Sequence, residues 1–284
     1  MNVWVEAARP KTLSAAVAPV VVGTAAAERF IAWRAAAALL VALALQVAVN
    51  YANDLFDAAR GVDTEARVGP RRAVASGLIA PNEMKVGIGI ALAIAAVAGS
   101  ALAVAVDLRL LLVDVAAFVA LLGYSGGPKP YASAGLGEVF VFVFFGLVAT
   151  VGSSYVHDER VVRASVIAAI PVGLLATAIL VVNNLRDIES DAAAAKRTLA
   201  VRLGDARTRS LLRFLVLGAF VFVPVIAGDV RSAWAMLPLA ALPLALPLVR
   251  PSNARGTGLI PVLTSTARLQ LVFALLLAAG LWQS

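Results

Sequence analysis

Nine stretches of mostly apolar residues, joined by short polar connections, restrict how this chain can fold. A helix needs about 20 apolar residues to cross a bilayer, and inside hydrocarbon only helices and closed barrels satisfy their own backbone groups. Hydrophobic residues make up 61% of the 284 residues and charged residues only 14%. We therefore predict an all-α, polytopic membrane protein. The predicted spans are 12–27, 31–56, 84–106, 109–124, 138–156, 164–187, 210–227, 232–249 and 262–282.

The chain contains no obvious linker, so we expect residues 1–284 to form one transmembrane domain. Arg9 and Lys11 precede the first apolar segment in a way that resembles a secretory signal, but the many later spans favour an uncleaved first helix. The absence of cysteine excludes disulfides, zinc–thiolate sites and cysteine nucleophiles. The net charge of +7 is read first as a signal of membrane orientation, and we predict no nucleic-acid partner.

The positions of the basic residues predict an orientation for the spans. With the N-terminus in the cytoplasm, nine alternating spans place 18 of the 24 Lys and Arg residues on the inner side. This bias agrees with the positive-inside rule. The long polar connections 57–83 and 188–209 also fall on the inner side. We therefore expect a protein of the inner (plasma) membrane, with its functional site on the cytoplasmic face.

A polar stripe marks the end of the second predicted span. Asn50, Asn53, Asp54 and Asp57 follow the spacing i, i+3, i+4, i+7, so they lie on one face of a helix. Carboxylates at membrane depth are costly and usually face the protein interior or a wet cavity. This first acidic stripe therefore predicts a polar site inside the helical bundle.

A second acidic stripe ends the sixth predicted span and contains Asn184, Asp187 and Asp191. Two such stripes in one small chain predict a shared cavity. Magnesium typically binds one or two carboxylates together with substrate phosphate oxygens, so the pattern favours a Mg²⁺–diphosphate site. The alternative is that these residues are solvated helix ends with capping roles.

Basic residues follow both stripes and could bind a diphosphate together with metal. Arg72 and Lys129 are the strongest candidates, because each lies in a loop next to a predicted inner helix end. For many other basic residues the alternative is contact with lipid headgroups. Further bases close to the stripes are Arg67, Arg71, Lys196 and Arg197.

These motifs resemble those of the UbiA superfamily of intramembrane prenyltransferases. Residues 53–57 match its N-D-x-x-D pattern, and Asp187 with Asp191 matches its D-x-x-x-D pattern. The segments 8–13, 124–146 and 183–204 are most similar to the branch that prenylates 1,4-dihydroxy-2-naphthoate in menaquinone synthesis. Two departures occur: Ala195 stands where the family often has glycine, and the run that follows Arg72 lacks the family's proline.

The resemblance implies a nine-helix fold around a central cavity that opens sideways to lipid. It implies a polyprenyl diphosphate substrate, an aromatic acceptor and Mg²⁺ as cofactor. The metal and diphosphate groups would be Asp54, Asp57, Asp187 and Asp191. Their supporting residues would be Asn50, Asn53, Arg72, Lys129 and Asn184, with Asp63 as a weaker member.

The implied reaction is electrophilic substitution on the aromatic ring, with loss of diphosphate and, for a dihydroxynaphthoate, of CO₂, giving demethylmenaquinone. Lys129 would neutralise the departing diphosphate, and Tyr124 is one of several aromatic residues that could shield an allylic cation. Arg268 is the candidate for binding the acceptor carboxylate. We expect His157, the one histidine of the sequence, to lie on the outer surface.

Two alternative functions remain open on the residues alone. A prenyltransferase that acts on 4-hydroxybenzoate, homogentisate or another acceptor would carry the same acidic motifs. An ion or anion transporter could also contain acidic groups in broken helices. Transporters place such groups near the bilayer midplane, whereas both stripes here are predicted at inner helix ends.

Overall fold

The computed structural model describes residues 2–62, 72–250 and 252–284, and these residues form helices and connecting turns without any β-strand. A π-helical turn, Phe142–Val148, joins α6 to α7, and the 3-10 segment Ala233–Ala241 leads into α11. The helices α1 to α12 are, in chain order, Val3–Ala7, Ser14–Ala25, Ala32–Ala59, Pro81–Ala105, Leu110–Ser125, Gly137–Val141, Ala149–Asp158, Arg163–Arg186, Ile188–Ala193, Leu199–Val230, Leu242–Val249 and Ile260–Trp282.

The predicted all-α class is confirmed, and each predicted span overlaps a helical segment. Within the described residues, six helical segments are long and apolar enough to cross a membrane. The remaining three predicted spans coincide with shorter apolar helices, α2, α5 and Ala233–Val249. The six long segments are α3, α4, Gly137–Asp158, α8, α10 and Gly256–Trp282.

Two helix boundaries differ from the sequence prediction in ways that affect the site. Helix α3 continues to Ala59, so Asp57 lies within the helix instead of after it. Helix α10 begins at Leu199 and contains a break at Gly204, whose φ of 76° lies in the left-handed region that glycine tolerates. The polar connection 188–209 therefore contains α9 and the first turns of α10.

The helices pack into two groups, each of which carries one acidic stripe. In the first group, α3 and α4 pack together over a core that includes Met84 and Ile88. In the second, α8 lies at the centre and packs against α2, α10 and α12. The second acidic stripe begins at the end of α8, whose apolar stretch is 72% buried. The functional site can therefore form where the two groups meet.

Close backbone approach holds α8 against the π-helical turn. A Cβ atom added to Gly146 would lie 2.5 Å from the Cα atom of Gly173. Small residues at helix interfaces allow such contacts in membrane proteins, where packing replaces the hydrophobic effect as the driving force.

We expect Gly146→Ala to lower the stability of the detergent-solubilised protein by about 1–3 kcal/mol, because the added methyl group must separate two packed helices. Thermal unfolding of the purified protein measures this effect. Gly228→Ala is the matched control, since a Cβ atom there meets nothing within 4 Å. Equal midpoints for both variants would contradict the packing argument.

The prediction for His157 is wrong. Its side chain is fully buried on α7, and its Nδ1 atom accepts a hydrogen bond from the Ile31 backbone N–H at 3.2 Å. The neighbouring Asp158 accepts the N–H groups of Glu28 and Arg29. His157 and Asp158 therefore anchor the turn between α2 and α3 and are structural residues.

Candidate active site

A mostly apolar cavity of about 280 Å³ runs between the two helix groups. Its walls come from α2, α3, α5, the 137–158 helix and α8. On α3 the lining extends from Ala38 to Asn53, which corresponds to about 22 Å of helix. Asn50, Asn53 and Asn183 place polar groups at one end. The cavity thus joins one polar end to a long hydrocarbon-like channel.

Asp54 of the first stripe organises the loop that follows α3. Its carboxylate is buried, and its two oxygens accept the backbone N–H groups of Ala73 and Val74 at 3.0 and 2.9 Å. Sequence reasoning assigned Asp54 to metal, but a carboxylate that accepts two backbone amides also fixes the turn at residues 72–77. That turn holds Arg72 next to the first stripe.

Asp57 lies one turn further along α3 and is surrounded by cations. Its Oδ2 atom is 3.1 Å from Nζ of Lys196 and 3.8 Å from the Arg72 guanidinium. Its Oδ1 atom accepts a hydrogen bond from Arg60 at 3.2 Å. Because the Asp57 side chain is only 2% exposed, these contacts are screened little by water and hold the carboxylate firmly.

The two asparagines of the first stripe tie other elements to α3. Asn50 donates to the carbonyl oxygen of Ala8 at 2.8 Å, and Asn53 accepts from the Ser125 hydroxyl at 2.6 Å. Both asparagines also line the cavity. They therefore connect the N-terminal segment and the end of α5 to the same helix that carries Asp54 and Asp57.

In the second stripe, Asp187 forms a bidentate ion pair with the preceding residue, Arg186. The Nε and Nη2 atoms of Arg186 lie 2.7 and 2.6 Å from its carboxylate oxygens. Asn184 donates to Oε1 of Glu138 at 2.9 Å, which connects α8 to α6. Asp191 is buried on α9, and its N–H donates to the Asp187 carbonyl oxygen.

Lys196 joins the two acidic stripes. Its Nζ atom is 3.1 Å from Asp57 and 3.9 Å from Asp191, and its backbone N–H donates to the Asp191 carbonyl oxygen. The tight turn that carries it includes Ala195 with φ of 56°. This left-handed conformation favours glycine, the residue that the family resemblance led us to expect at the position of Ala195.

The structure does not bring all predicted site residues together. Lys129 lies exposed in the 126–136 loop, and Arg268 lies exposed on α12. The described cavity wall includes neither of them, nor the four aspartates, but within the described residues no hydrogen bond or ion pair joins Lys129 or Arg268 to a stripe carboxylate. Asp63, Arg67 and Arg71 lie outside the described residues. Tyr124 does line the cavity and packs edge-on against Tyr131, with ring centroids 5.4 Å apart.

An aromatic wall borders the polar end of the cavity. Tyr131 stacks on Phe140 at 3.9 Å between ring centroids, and Phe140 is followed one turn later by Phe144. Burial raises the pKa of Tyr131, so its phenol stays neutral. Aromatic faces of this kind attract a cation. The wall therefore lies where an allylic cation would need shielding.

Four residues at the site have roles that the sequence did not assign, and of these Lys196 was named only as one of several bases close to the stripes. Lys196 and Arg186 contact the stripe carboxylates, Glu138 accepts from Asn184, and Arg9 lines the cavity. Lys196 and Arg186 were visible as neighbours of the second stripe. The contact between Lys196 and Asp57 spans 139 residues and has no signature in the sequence, whereas Arg186 pairs with the adjacent Asp187.

The donor set fits a magnesium ion, although the four aspartates are not equivalent. Among the described residues, no three acidic or histidine side chains form a ready-made metal cluster. However, Asp57 and Asp191 already share one cation, the Lys196 ammonium. Two carboxylates are enough for Mg²⁺ when a substrate supplies phosphate oxygens. Asp57 and Asp191 are therefore the best-placed pair for the metal.

Comparisons with known proteins agree with this class of fold and site. Residues 16–257 match the UbiA prenyltransferase family, and the chain belongs to this family. The chain is 46% identical to a 1,4-dihydroxy-2-naphthoate octaprenyltransferase from Mycobacterium tuberculosis, covering 98% of this chain and 96% of the relative. The 1,4-dihydroxy-2-naphthoate octaprenyltransferase from Escherichia coli is 36% identical, and the match covers 99% of this chain and 95% of that relative.

Solved structures share the fold at low sequence identity. A UbiA homologue from Archaeoglobus fulgidus, bound to GPP and Mg²⁺, superposes with a TM-score of 0.72 at 18% identity and covers 99% of both chains. The same homologue bound to DMAPP and Mg²⁺ has a TM-score of 0.71 at 17% identity, also over 99% of each chain. These similarities confirm the all-helical, UbiA-type fold.

We expect Lys196→Met to lower kcat/KM for prenyl transfer by at least about tenfold, because it leaves two buried carboxylates without their shared cation. Lys129→Met is the comparison variant, and we expect its effect to stay within about threefold, as for exposed charges. Steady-state kinetics on both variants, with thermal unfolding as a folding check, measure this difference. A large loss in Lys129→Met with normal turnover in Lys196→Met would reverse the assignment.

Proposed function

We propose that this chain transfers a polyprenyl group from polyprenyl diphosphate to 1,4-dihydroxy-2-naphthoate, with release of diphosphate and CO₂. The observation that carries the proposal is the pairing of Asp57 and Asp191 on Lys196, one helical turn beyond Asn53, which lines the polar end of a long apolar cavity. Relatives that match nearly the whole chain carry the corresponding enzyme name. Their coverage also supports treating residues 1–284 as one catalytic domain.

In this proposal Asp57 and Asp191 would hold Mg²⁺, with Asp54 and Asp187 completing the acidic site. Mg²⁺ bound there would supply positive charge to balance the charge of the diphosphate. Lys196 and Arg72 add positive charge to the same place, because both already contact Asp57. Donors that are fixed in advance stabilise developing negative charge more effectively than mobile water does.

The remaining steps use the aromatic wall and the apolar channel. The allylic C–O bond breaks, and its electron pair leaves with the diphosphate. Tyr124, Tyr131 and Phe140 shield the allylic cation from water. The acceptor ring carbon that bears the carboxylate forms the new C–C bond. Loss of CO₂ returns an electron pair to the ring and leaves the reduced form of demethylmenaquinone.

Purified protein in liposomes, supplied with Mg²⁺ and a polyprenyl diphosphate, tests this function. The acceptor panel contains 1,4-dihydroxy-2-naphthoate, 4-hydroxybenzoate and homogentisate, and mass spectrometry identifies the lipid product. We expect a prenylated, decarboxylated naphthalenediol from the first acceptor and no product from the others. A prenylated hydroxybenzoate or homogentisate as the main product would overturn the proposed acceptor and leave the reaction class intact.

We also propose that the protein lies in the inner (plasma) membrane with the acidic helix ends on the cytoplasmic side. The excess of Lys and Arg in the inner connections supports this orientation. The acidic site would then open toward the cytoplasm.

Single cysteines test the orientation, because the sequence contains no cysteine. We expect Ser76→Cys to react with an impermeant maleimide only from the cytoplasmic face and Val161→Cys only from the opposite face. Both positions are exposed in the structure. Labelling of intact cells and of inverted vesicles compares the two faces. Reaction of both cysteines from one face would contradict the alternating-span topology.

A further inference from the structure

One acidic residue lies inside the apolar part of the cavity, away from both stripes. Asp114 is on α5, where every other residue from Leu110 to Leu122 is apolar. It is half-buried and lines the cavity together with Leu102, Val113 and Ala117. A carboxyl group at this depth is costly and indicates a function.

Gly99 of α4 makes room for this carboxyl group. A Cβ atom at residue 99 would collide with Oδ2 of Asp114. Within the described ranges, no hydrogen bond or ion pair joins Asp114 to another group. Asp114 is therefore a polar group on an otherwise apolar wall. Its carboxylate can lie close to α4 because Gly99 has no side chain.

The position of Asp114 along the cavity can be compared with the length of an isoprenoid. Asp114 precedes Tyr124, at the polar end, by ten residues on the same helix, which is about 15 Å. An isoprene unit adds four main-chain bonds. Three bonds of an extended chain span about 3.8 Å, as between consecutive Cα atoms, so one isoprene unit spans roughly 5 Å. Asp114 therefore lies about three isoprene units from Tyr124 at the polar end of the cavity.

We propose that Asp114 sets how deeply the prenyl tail enters the cavity and directs its remainder into the bilayer. The inference rests on the proposed function. Contact with a carboxyl group disfavours hydrocarbon, because the group loses water without gaining a hydrogen bond. The first three units of the tail occupy the channel, and the units beyond them turn away from Asp114.

The packing of the helices provides a path for the departing tail. Helix α5 packs mainly on α3 and α4, whereas the 137–158 helix packs on α2 and α8. Two contacts join these walls near their ends. Tyr131 stacks on Phe140 at the inner end, and the Tyr155 hydroxyl donates to Asp107 at 2.7 Å at the outer end. The tail leaves between these two contacts.

The test measures binding of non-hydrolysable thiolodiphosphate analogues with two, three, four and eight isoprene units to protein in phosphatidylglycerol-containing nanodiscs. We expect Asp114→Leu to raise the affinity for the four- and eight-unit analogues roughly three- to tenfold. The affinity for the two-unit analogue should stay within about twofold. Asp114→Asn keeps a polar group at this position and should resemble the wild type.

Gly99→Ala should have the opposite effect to Asp114→Leu, because its methyl group pushes the Asp114 carboxyl toward the cavity. We expect Gly99→Ala to weaken the binding of the longer analogues selectively. Combining Gly99→Ala with Asp114→Ala should restore that binding. Gly89→Ala, on the same helix with nothing near its Cβ atom, is the control. Thermal unfolding confirms that each variant is folded.

An equal effect of Asp114→Leu on all tail lengths, or no effect on any, would overturn the inference while wild-type prenyl transfer remained intact. Failure of the wild type to bind any prenyl analogue would instead overturn the proposed function, and the tail inference with it. Length-selective binding in a protein that prenylates none of the tested acceptors would support the tail inference and count against the acceptor.

Discussion

Replacement of Asp57 by Asn is expected to lower the kcat of prenyl transfer by about 100-fold or more, as for the loss of a group that stabilises transition-state charge. The change keeps the size of the side chain and removes one negative charge. Asp57 is the carboxylate at which Lys196, Arg72 and Arg60 converge. Single-turnover and steady-state kinetics with purified, folded protein measure the loss.

Asp191→Asn should produce a loss of similar size, because Asp191 shares Lys196 with Asp57. The double variant should then lose much less than the product of the two single losses, since groups that act as a unit are not additive. Raising the magnesium concentration should partly restore each single variant. Asp205→Asn, which removes the same charge from an ion pair with Arg209 outside the cavity, is the control.

A structural role for these aspartates predicts a different pattern. The variants would then give low yields in detergent, with nearly normal activity for each folded molecule and no response to magnesium. Strictly multiplicative losses in folded protein would indicate two independent sites. Near-normal turnover of either single variant at low magnesium would rule out the shared site.

Removal of divalent cations is the second change for which we expect a large effect. Excess chelator should lower prenyl transfer by about 100-fold or more, because aspartates can bind a diphosphate only through a metal ion, which also supplies positive charge to the departing group. Added Mg²⁺ should restore the activity. Assays with metal-free reagents, followed by a magnesium titration, measure this dependence.

The same chelation should leave the fold unchanged. Lys196, Arg72 and Arg186 already neutralise Asp57 and Asp187, so the free protein needs no metal to balance these charges. The thermal unfolding midpoint of the substrate-free protein should therefore be the same with and without chelator. Full activity in chelator would remove the metal from the proposed mechanism, and unfolding in chelator would instead indicate a structural ion.

Some features of this protein follow from local sequence patterns. Runs of apolar residues indicate membrane helices because the bilayer forces each segment to satisfy its own hydrogen bonds. Helical spacing predicts that Asp54 and Asp57 share one face, since 3.6 residues complete a turn. These rules act over a few turns of chain. The all-α class, the position of the helices and the two acidic stripes were therefore predictable from the sequence.

Residues whose roles depend on distant partners were predicted less well. His157 seemed to lie in an outer loop, but its nitrogen binds the backbone of Ile31, 126 residues earlier. Lys129, in a glycine-rich loop, was the favoured diphosphate-binding cation, yet it is exposed, and Lys196 occupies the contact position. Nothing local to Lys129 or Lys196 distinguishes which of them meets a carboxylate carried by α3.

The sequence by itself determined an all-helical membrane protein with two acidic stripes, because hydropathy and helical periodicity are local properties of the chain. Only the tertiary structure decided how the acids are used. Asp54 accepts two amides of the turn after α3, Asp187 pairs with Arg186, and Asp57 and Asp191 share Lys196. The contact of Lys196 with Asp57 joins α3 to the turn after α9 across 139 residues of sequence, and such a contact depends on the packing of the whole bundle.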